Sequence, residues 1–123
     1  MVEGLGVYIN SSSARCMDGS SPIYWITKGQ GSGVNKLLIS FEEGLFCNLI
    51  DGGYDNCNYF AFEKKGGYPG TTSGYFGTSN ASKVPEIFDF NNIYENYYSR
   101  DSSINPLMYN WNMVYMHYCD GSL

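Results

Sequence analysis

Four cysteines, one histidine and a few clustered carboxylates are the residues of this chain whose types and spacing could do chemistry. Cys16, Cys47, Cys57 and Cys119 make an even set, compatible with two disulfides in three alternative pairings, and the spacing alone does not choose among them. Zinc has little to bind: there is no Cys-x-x-Cys pair, and the only histidine, His117, lies in an apolar run two residues before Cys119. As a general base His117 has no serine or cysteine nucleophile recognisably paired with it, so its expected role is structural. Glu42 and Glu43 fail as the acid and base of a glycosidase because adjacent strand residues point to opposite faces. Asp51-Gly52-Gly53-Tyr54-Asp55-Asn56 hints at a calcium loop, but Phe62 stands at the twelfth position, where a bidentate glutamate belongs, so the segment reads as a turn. Gly29-Gln30-Gly31-Ser32-Gly33 lacks the Lys-Ser/Thr of a phosphate cradle and opens onto a strand instead of a helix. No metal and no cofactor are expected. Asn10-Ser11-Ser12 and Asn80-Ala81-Ser82 are glycosylation sequons, which makes Asn10 and Asn80 candidate acceptors and is consistent with a secreted, oxidising setting.

The elements that must position these residues are strands with few helices. The chain has 123 residues, 43% hydrophobic and 17% aromatic, with 15 glycines and a net charge of −5. That composition can fold, and the length suits one small domain. Seven basic against twelve acidic residues, without a basic cluster, give no grip on nucleic-acid phosphates. No apolar run approaches the roughly 20 residues that span a bilayer. Met1–Asn10 lacks the basic start and apolar stretch of a secretory signal, as expected of a mature or partial chain or of a cytosolic one.

A polar lead ends at Ser11-Ser12-Ser13, and Pro22–Lys28, rich in β-branched and aromatic residues, reads as a strand with Gly29–Gly33 as its loop. Lys36–Glu42 carries Leu37, Leu38, Ile39 and Phe41 in a nearly continuous apolar run, the pattern of a strand covered on both faces, and the two strands are expected to form a hairpin. Asn58–Lys65 reads as a short helix and Gly66–Gly77 as a loop. Lys83–Asn112 has no clean period and room for one or two short helices, and Met113–Tyr118 is again an apolar strand. This order is the opening of an α/β architecture with a mostly parallel sheet, left incomplete because only one crossover fits between Phe41 and Met113.

Two segments go beyond the generic. Cys16-Met17-Asp18-Gly19-Ser20-Ser21-Pro22-Ile23-Tyr24, then Gly31-Ser32-Gly33 and Leu38-Ile39-Ser40-Phe41-Glu42-Glu43-Gly44-Leu45-Phe46-Cys47-Asn48, resembles the start of pectin acetylesterases and the related Notum carboxylesterases. The stretch from Asn105 through Tyr109-Asn110-Trp111-Asn112 to Tyr118-Cys119-Asp120-Gly121-Ser122 is similar to the same family's Tyr-Asn-Trp-Asn segment and the strand after it. Both lie in the right order, and with a weaker likeness at Gly77-Thr78-Ser79 they span Cys16–Ser122, about the first third of a family enzyme.

The resemblance implies an α/β-hydrolase fold, with residues 1–123 as the N-terminal part of one such domain. It implies a serine carboxylesterase that removes acyl groups, acetate from pectin in one branch and palmitoleate from a signalling protein in the other. The partners are then an acylated carbohydrate or other ester and the remainder of the hydrolase domain, in a secretory or extracellular compartment. The family's nucleophile elbow, aspartate and histidine fall downstream. This chain has no Gly-x-Ser-x-Gly; Gly77-Thr78-Ser79-Asn80-Ala81 is its nearest imitation, and no buried strand precedes it. What the family carries over is an oxyanion hole of backbone N–H groups at Gly44 and Leu45, and disulfides joining Cys16 to Cys119 and Cys47 to Cys57. The family pattern there is Glu-Gly-Gly followed by Gly-Trp or Trp-Tyr, whereas this sequence has Glu42-Glu43-Gly44-Leu45-Phe46. Glu43 makes a positive φ costly and brings a carboxylate near a developing negative charge. The alternative expectation is therefore a non-catalytic relative that keeps the scaffold for binding or structure.

Overall fold

The computed structural model describes residues 2–16, 19–42, 49–50, 54–55, 84–92 and 96–119. Seven strands are described: β1 (Glu3–Tyr8), β2 (Ile23–Thr27), β3 (Leu37–Phe41), β4 (Leu49–Ile50), β5 (Tyr54–Asp55), β6 (Ile87–Asp89) and β7 (Asn112–Met116). Three single 3₁₀ turns, Gly31–Gly33, Phe90–Asn92 and Asn96–Tyr98, are the helical elements among the described residues. The chain divides into two units, one of Met1–Val7, Tyr24–Phe41 and Glu86–Met116, the other of Tyr8–Ile23, Glu42–Pro85 and His117–Leu123.

The five-stranded sheet runs in the order β3-β7-β2-β1-β6. It is mixed: β7 lies antiparallel to β2 and parallel to β3, and β1 lies antiparallel to β6. The strands expected at 22–28, 36–42 and 113–118 are present as β2, β3 and β7, but β2 and β3 are not a hairpin. The last strand in sequence inserts between them, because the glycine-rich loop after β2 makes its bonds to residues near 110 instead of folding β3 back onto β2. The mostly parallel sheet gives way to a mixed one, with β3 and β7 parallel and β2/β7 and β1/β6 antiparallel.

Pairing across the sheet places opposed residues on one face. Trp25 opposes Tyr115, and Gly4 opposes Phe88. Trp25 is completely buried, its ring stacked on Phe88 at 4.8 Å and on Tyr115 at 6.2 Å between centroids. Phe90 meets Phe88 edge-on at 5.7 Å and reaches Tyr98 at 5.5 Å, so the two short 3₁₀ turns exist to seat these rings. Gly4 has no side chain because a Cβ there would run into the Phe90 ring. That glycine, with Gly6, gave β1 the look of a polar lead. β6 was hidden in the same way, being three residues long; it is anchored where Asp89 Oδ1 accepts the N–H groups of Val2 and Asn91, each at 3.0 Å. Those bonds, the one from Asn91 foremost, hold the Asp89 carboxyl below its ordinary range.

On the opposite face Val114 of β7 is buried, while strands on either side of it are open. Leu5 and Ile87 face each other at 64% and 57% exposure. On β3, Leu37, Ile39 and Phe41 are 50%, 51% and 68% exposed. Covering of β3 on both faces is thus not observed: it is an edge strand of the described sheet, half-buried on one side and exposed on the other.

In the other unit, Cys16 and Cys119 are joined, with Cα atoms 4.8 Å apart and both residues buried. Cys16 opens a tight turn in which its carbonyl accepts the Gly19 N–H and its own N–H donates to Ser20 O, both at 2.9 Å; Gly19 supplies the positive φ of 85°. β4 and β5 pair antiparallel. The expected helix at 58–65 and loop at 66–77 lie outside the described residues.

Candidate functional site

The Tyr109-Asn110-Trp111-Asn112 stretch sits at the entry to β7. Asn112 Oδ1 accepts the Gly29 N–H at 3.0 Å, and its Nδ2 donates to Lys36 O at 2.7 Å and Val34 O at 2.9 Å. The Asn110 carbonyl accepts the Gln30 N–H at 2.8 Å, and its side chain donates to Ser32 Oγ at 3.0 Å. Lys36 Nζ lies 5.5 Å above the Trp111 ring. Arg100 closes the arrangement: Nη1 donates to Tyr109 O and Trp111 O at 3.0 and 2.6 Å, and Nη2 to Thr27 Oγ1 and Lys28 O at 3.1 and 3.0 Å. Burial draws the Arg100 guanidinium down from its usual value, yet arginine stays charged in proteins. A third asparagine, Asn105, is buried and ties Tyr97 O at 2.6 Å, Ser99 O at 3.1 Å and the Met108 N–H at 3.2 Å.

These residues therefore form a clasp that fastens the loop between β2 and β3 to the start of β7. An open groove of 580 Å³ beside it is lined by Lys28, Gln30, Arg100 and Asn110, among others. Both terminal nitrogens of Arg100 are occupied by protein oxygens, so Arg100 offers no fork to an anion there, and the clasp reads as structure. Sequence reasoning did not find Arg100, whose partners are mostly backbone carbonyls and carry no sequence signal. Tyr98 is buried against Phe90 and Tyr115. Gly33 is the clasp's tightest point, because a Cβ there would overlap the Asn110 carbonyl. Gly33→Ala is expected to lower stability by about 2–3 kcal/mol through forced backbone displacement, read as a shift of the urea midpoint at constant slope; a loss under about 0.5 kcal/mol would contradict the clasp.

At the other end of the parallel pair the chemistry differs. Phe41 pairs with Met116, so the chain leaves β3 and β7 side by side at Glu42 and His117. Glu42 Oε2 lies 2.6 Å from His117 Nδ1 and accepts the Tyr118 N–H at 3.0 Å. The His117 side chain is fully enclosed and that of Glu42 is 11% exposed. One residue further, Cys119 enters the disulfide with Cys16. His117 is thus an enclosed ring bound to a carboxylate. Ligands of open α/β sheets bind beyond the carboxyl ends of the strands, which makes this end the candidate catalytic one.

Gly44 and Leu45 follow two and three residues after Glu42. They lie outside the described residues, as do Glu43, Cys47, Cys57 and Asn80. Asn10 is exposed just after β1. Among the described residues no group of three metal-ligating side chains occurs, and no helix is long and apolar enough to cross a membrane.

A family model described as Pectinacetylesterase matches residues 6–123. The chain belongs to the pectinacetylesterase family. Within that family it is 34% identical over 118 residues to pectin acetylesterase 7 of Arabidopsis thaliana, covering 94% of this chain and 25% of the relative. Pectin acetylesterase 4 of the same plant is 35% identical over 109 residues, covering 89% and 22%. This pectinacetylesterase-family chain thus spans about a quarter of the length of the curated relatives it matches. Its fold is similar to part of the Wnt deacylase Notum from Drosophila, with a TM-score of 0.65 at 21% identity over 95% of this chain and 27% of that one. The mixed sheet is accordingly the incomplete α/β-hydrolase-like sheet that the sequence implies.

Proposed function

We propose that these residues are the N-terminal part of one pectin-acetylesterase-like α/β-hydrolase domain, which hydrolyses O-acetyl esters of a carbohydrate through a serine ester. The observation that carries this reading is the family match over residues 6–123, combined with a parallel β3/β7 pair whose exits meet in a pinned junction. The serine, aspartate and histidine belong to chain beyond Leu123. The open sheet face at Leu37, Ile39 and Phe41 supports this, since sheets of this class are covered on both faces.

The part played by this chain is to receive charge. Attack of the serine oxygen on the ester carbonyl moves an electron pair onto the carbonyl oxygen, and the N–H groups of Gly44 and Leu45 meet it. Each such donor lowers the barrier by about 3–4 kcal/mol when aimed at the oxyanion. Collapse expels the sugar alcohol, and water then releases acetate from the acyl-serine. The paired cysteines and the exposed sequon at Asn10 fit a secretory compartment. Glu43 is the feature that favours a non-catalytic relative, and family membership weighs against it. Reading the coding sequence past the Leu123 codon tests the choice. A Gly-x-Ser-x-Gly about 60 residues on is expected, and an immediate stop codon would overturn the catalytic reading.

A further inference from the structure

Glu42 and His117 make the contact of a catalytic dyad in a place where catalysis cannot reach them. A carboxylate 2.6 Å from an imidazole Nδ1 is the orienting half of a serine-hydrolase triad. Here, however, the ring is wholly enclosed, and the same carboxylate oxygen also takes the Tyr118 N–H. A base that cannot meet a substrate proton does no proton transfer. A carboxylate so enclosed is costly unless paired and hydrogen-bonded, so the arrangement fixes geometry.

What it fixes can be read from the chain. The β3/β7 ladder ends at Phe41 and Met116, where regular backbone pairing stops. Glu42 then reaches across to the strand that has just left β7, gripping both a side chain and the backbone N–H at Tyr118, beside the half-cystine Cys119. Residue 42 is thereby held after the sheet has ceased to hold it. Two residues later comes the first of the amides assigned to the oxyanion. Donors of that kind must be placed within about 0.5 Å to act.

We infer that Glu42 and His117 are positioning residues for acyl transfer, fixing the exit of β3 so that the amides following it meet the oxyanion. The inference rests on the esterase reading above. Its test is a set of variants in the complete translated protein containing these residues, assayed on p-nitrophenyl acetate, with active sites counted by the phenol burst. Glu42→Ala and His117→Leu are expected to lower kcat per titrated site by about 10²-fold, with KM within about twofold, because a small misplacement of a reacting group has that effect. Glu42→Gln keeps an oxygen for both N–H groups, and His117→Asn places an amide N–H where Nδ1–H stands. Each is expected to recover most of the loss. Where Glu42→Ala does not fold, Glu42→Asp keeps the charge, withdraws it by one methylene, and is expected to lose about tenfold in kcat per site by the same misplacement. A merely structural pair would lower the number of titrated sites and leave kcat per site unchanged. That result, or Gln and Asn variants no better than Ala and Leu, would overturn the inference alone; a parent protein without any turnover would overturn it together with the esterase reading.

Discussion

Replacing both half-cystines, as Cys16→Ser/Cys119→Ser, is expected to lower the unfolding free energy by about 4–5 kcal/mol. The bridge joins positions 103 residues apart. In the chain-entropy account its contribution grows with the logarithm of the loop it closes, so a loop of that size is near the upper end for one crosslink. The double replacement leaves no unpaired thiol at positions 16 and 119. It also removes the anchor next to Tyr118, whose N–H holds Glu42, so unfolding is expected to begin at the exits of β3 and β7. Urea unfolding of the oxidised protein and the variant at equal pH measures the difference. A change under about 1 kcal/mol would show that the crosslink adds little to an end already held by packing and hydrogen bonds.

Trp25→Ala is expected to be nearly as damaging, with a loss of about 3–5 kcal/mol. Trp25 lies mid-strand in β2, is completely buried, and stacks on Phe88 from the β6 side and on Tyr115 from β7. Its removal leaves a cavity under rings fixed by two different strands, which cannot close without moving the ladder. Leu107→Ala is the control. Leu107 is 78% exposed, so its replacement is expected to change stability by less than about 0.5 kcal/mol. Parallel urea titrations compare the two, and equal midpoints would contradict the placement of Trp25 at the centre of the sheet's packed face.

What the sequence made legible follows the range of the forces involved. β2, β3 and β7 are dense in β-branched and aromatic residues, and that local signal located them within a residue or two. Their partners were not legible. A glycine-rich loop between two strands suggests a hairpin, yet the residues that hold this loop, Asn110 and Asn112, lie some 80 positions away. β1 escaped notice because Gly4 and Gly6 dilute its pattern, and Gly4 is required by a Phe90 ring that no local window contains. The cysteines left three pairings open, and only the resemblance selected Cys16 with Cys119. The same resemblance marked Tyr-Asn-Trp-Asn as a signature without saying what it does; the geometry makes it a clasp. Glu42 and His117 were each read alone, one as half of an unworkable carboxylate pair and the other as structural. Their meeting depends on a parallel pairing formed across 75 residues.

The most direct test grafts residues 1–123 in place of the aligned quarter of pectin acetylesterase 7 and measures acetate released from acetylated pectin. A folded chimaera that releases acetate, with none released by the 123 residues alone, is the predicted result. Acetate released by the isolated chain, or a chimaera of native circular dichroism that releases none, would contradict it.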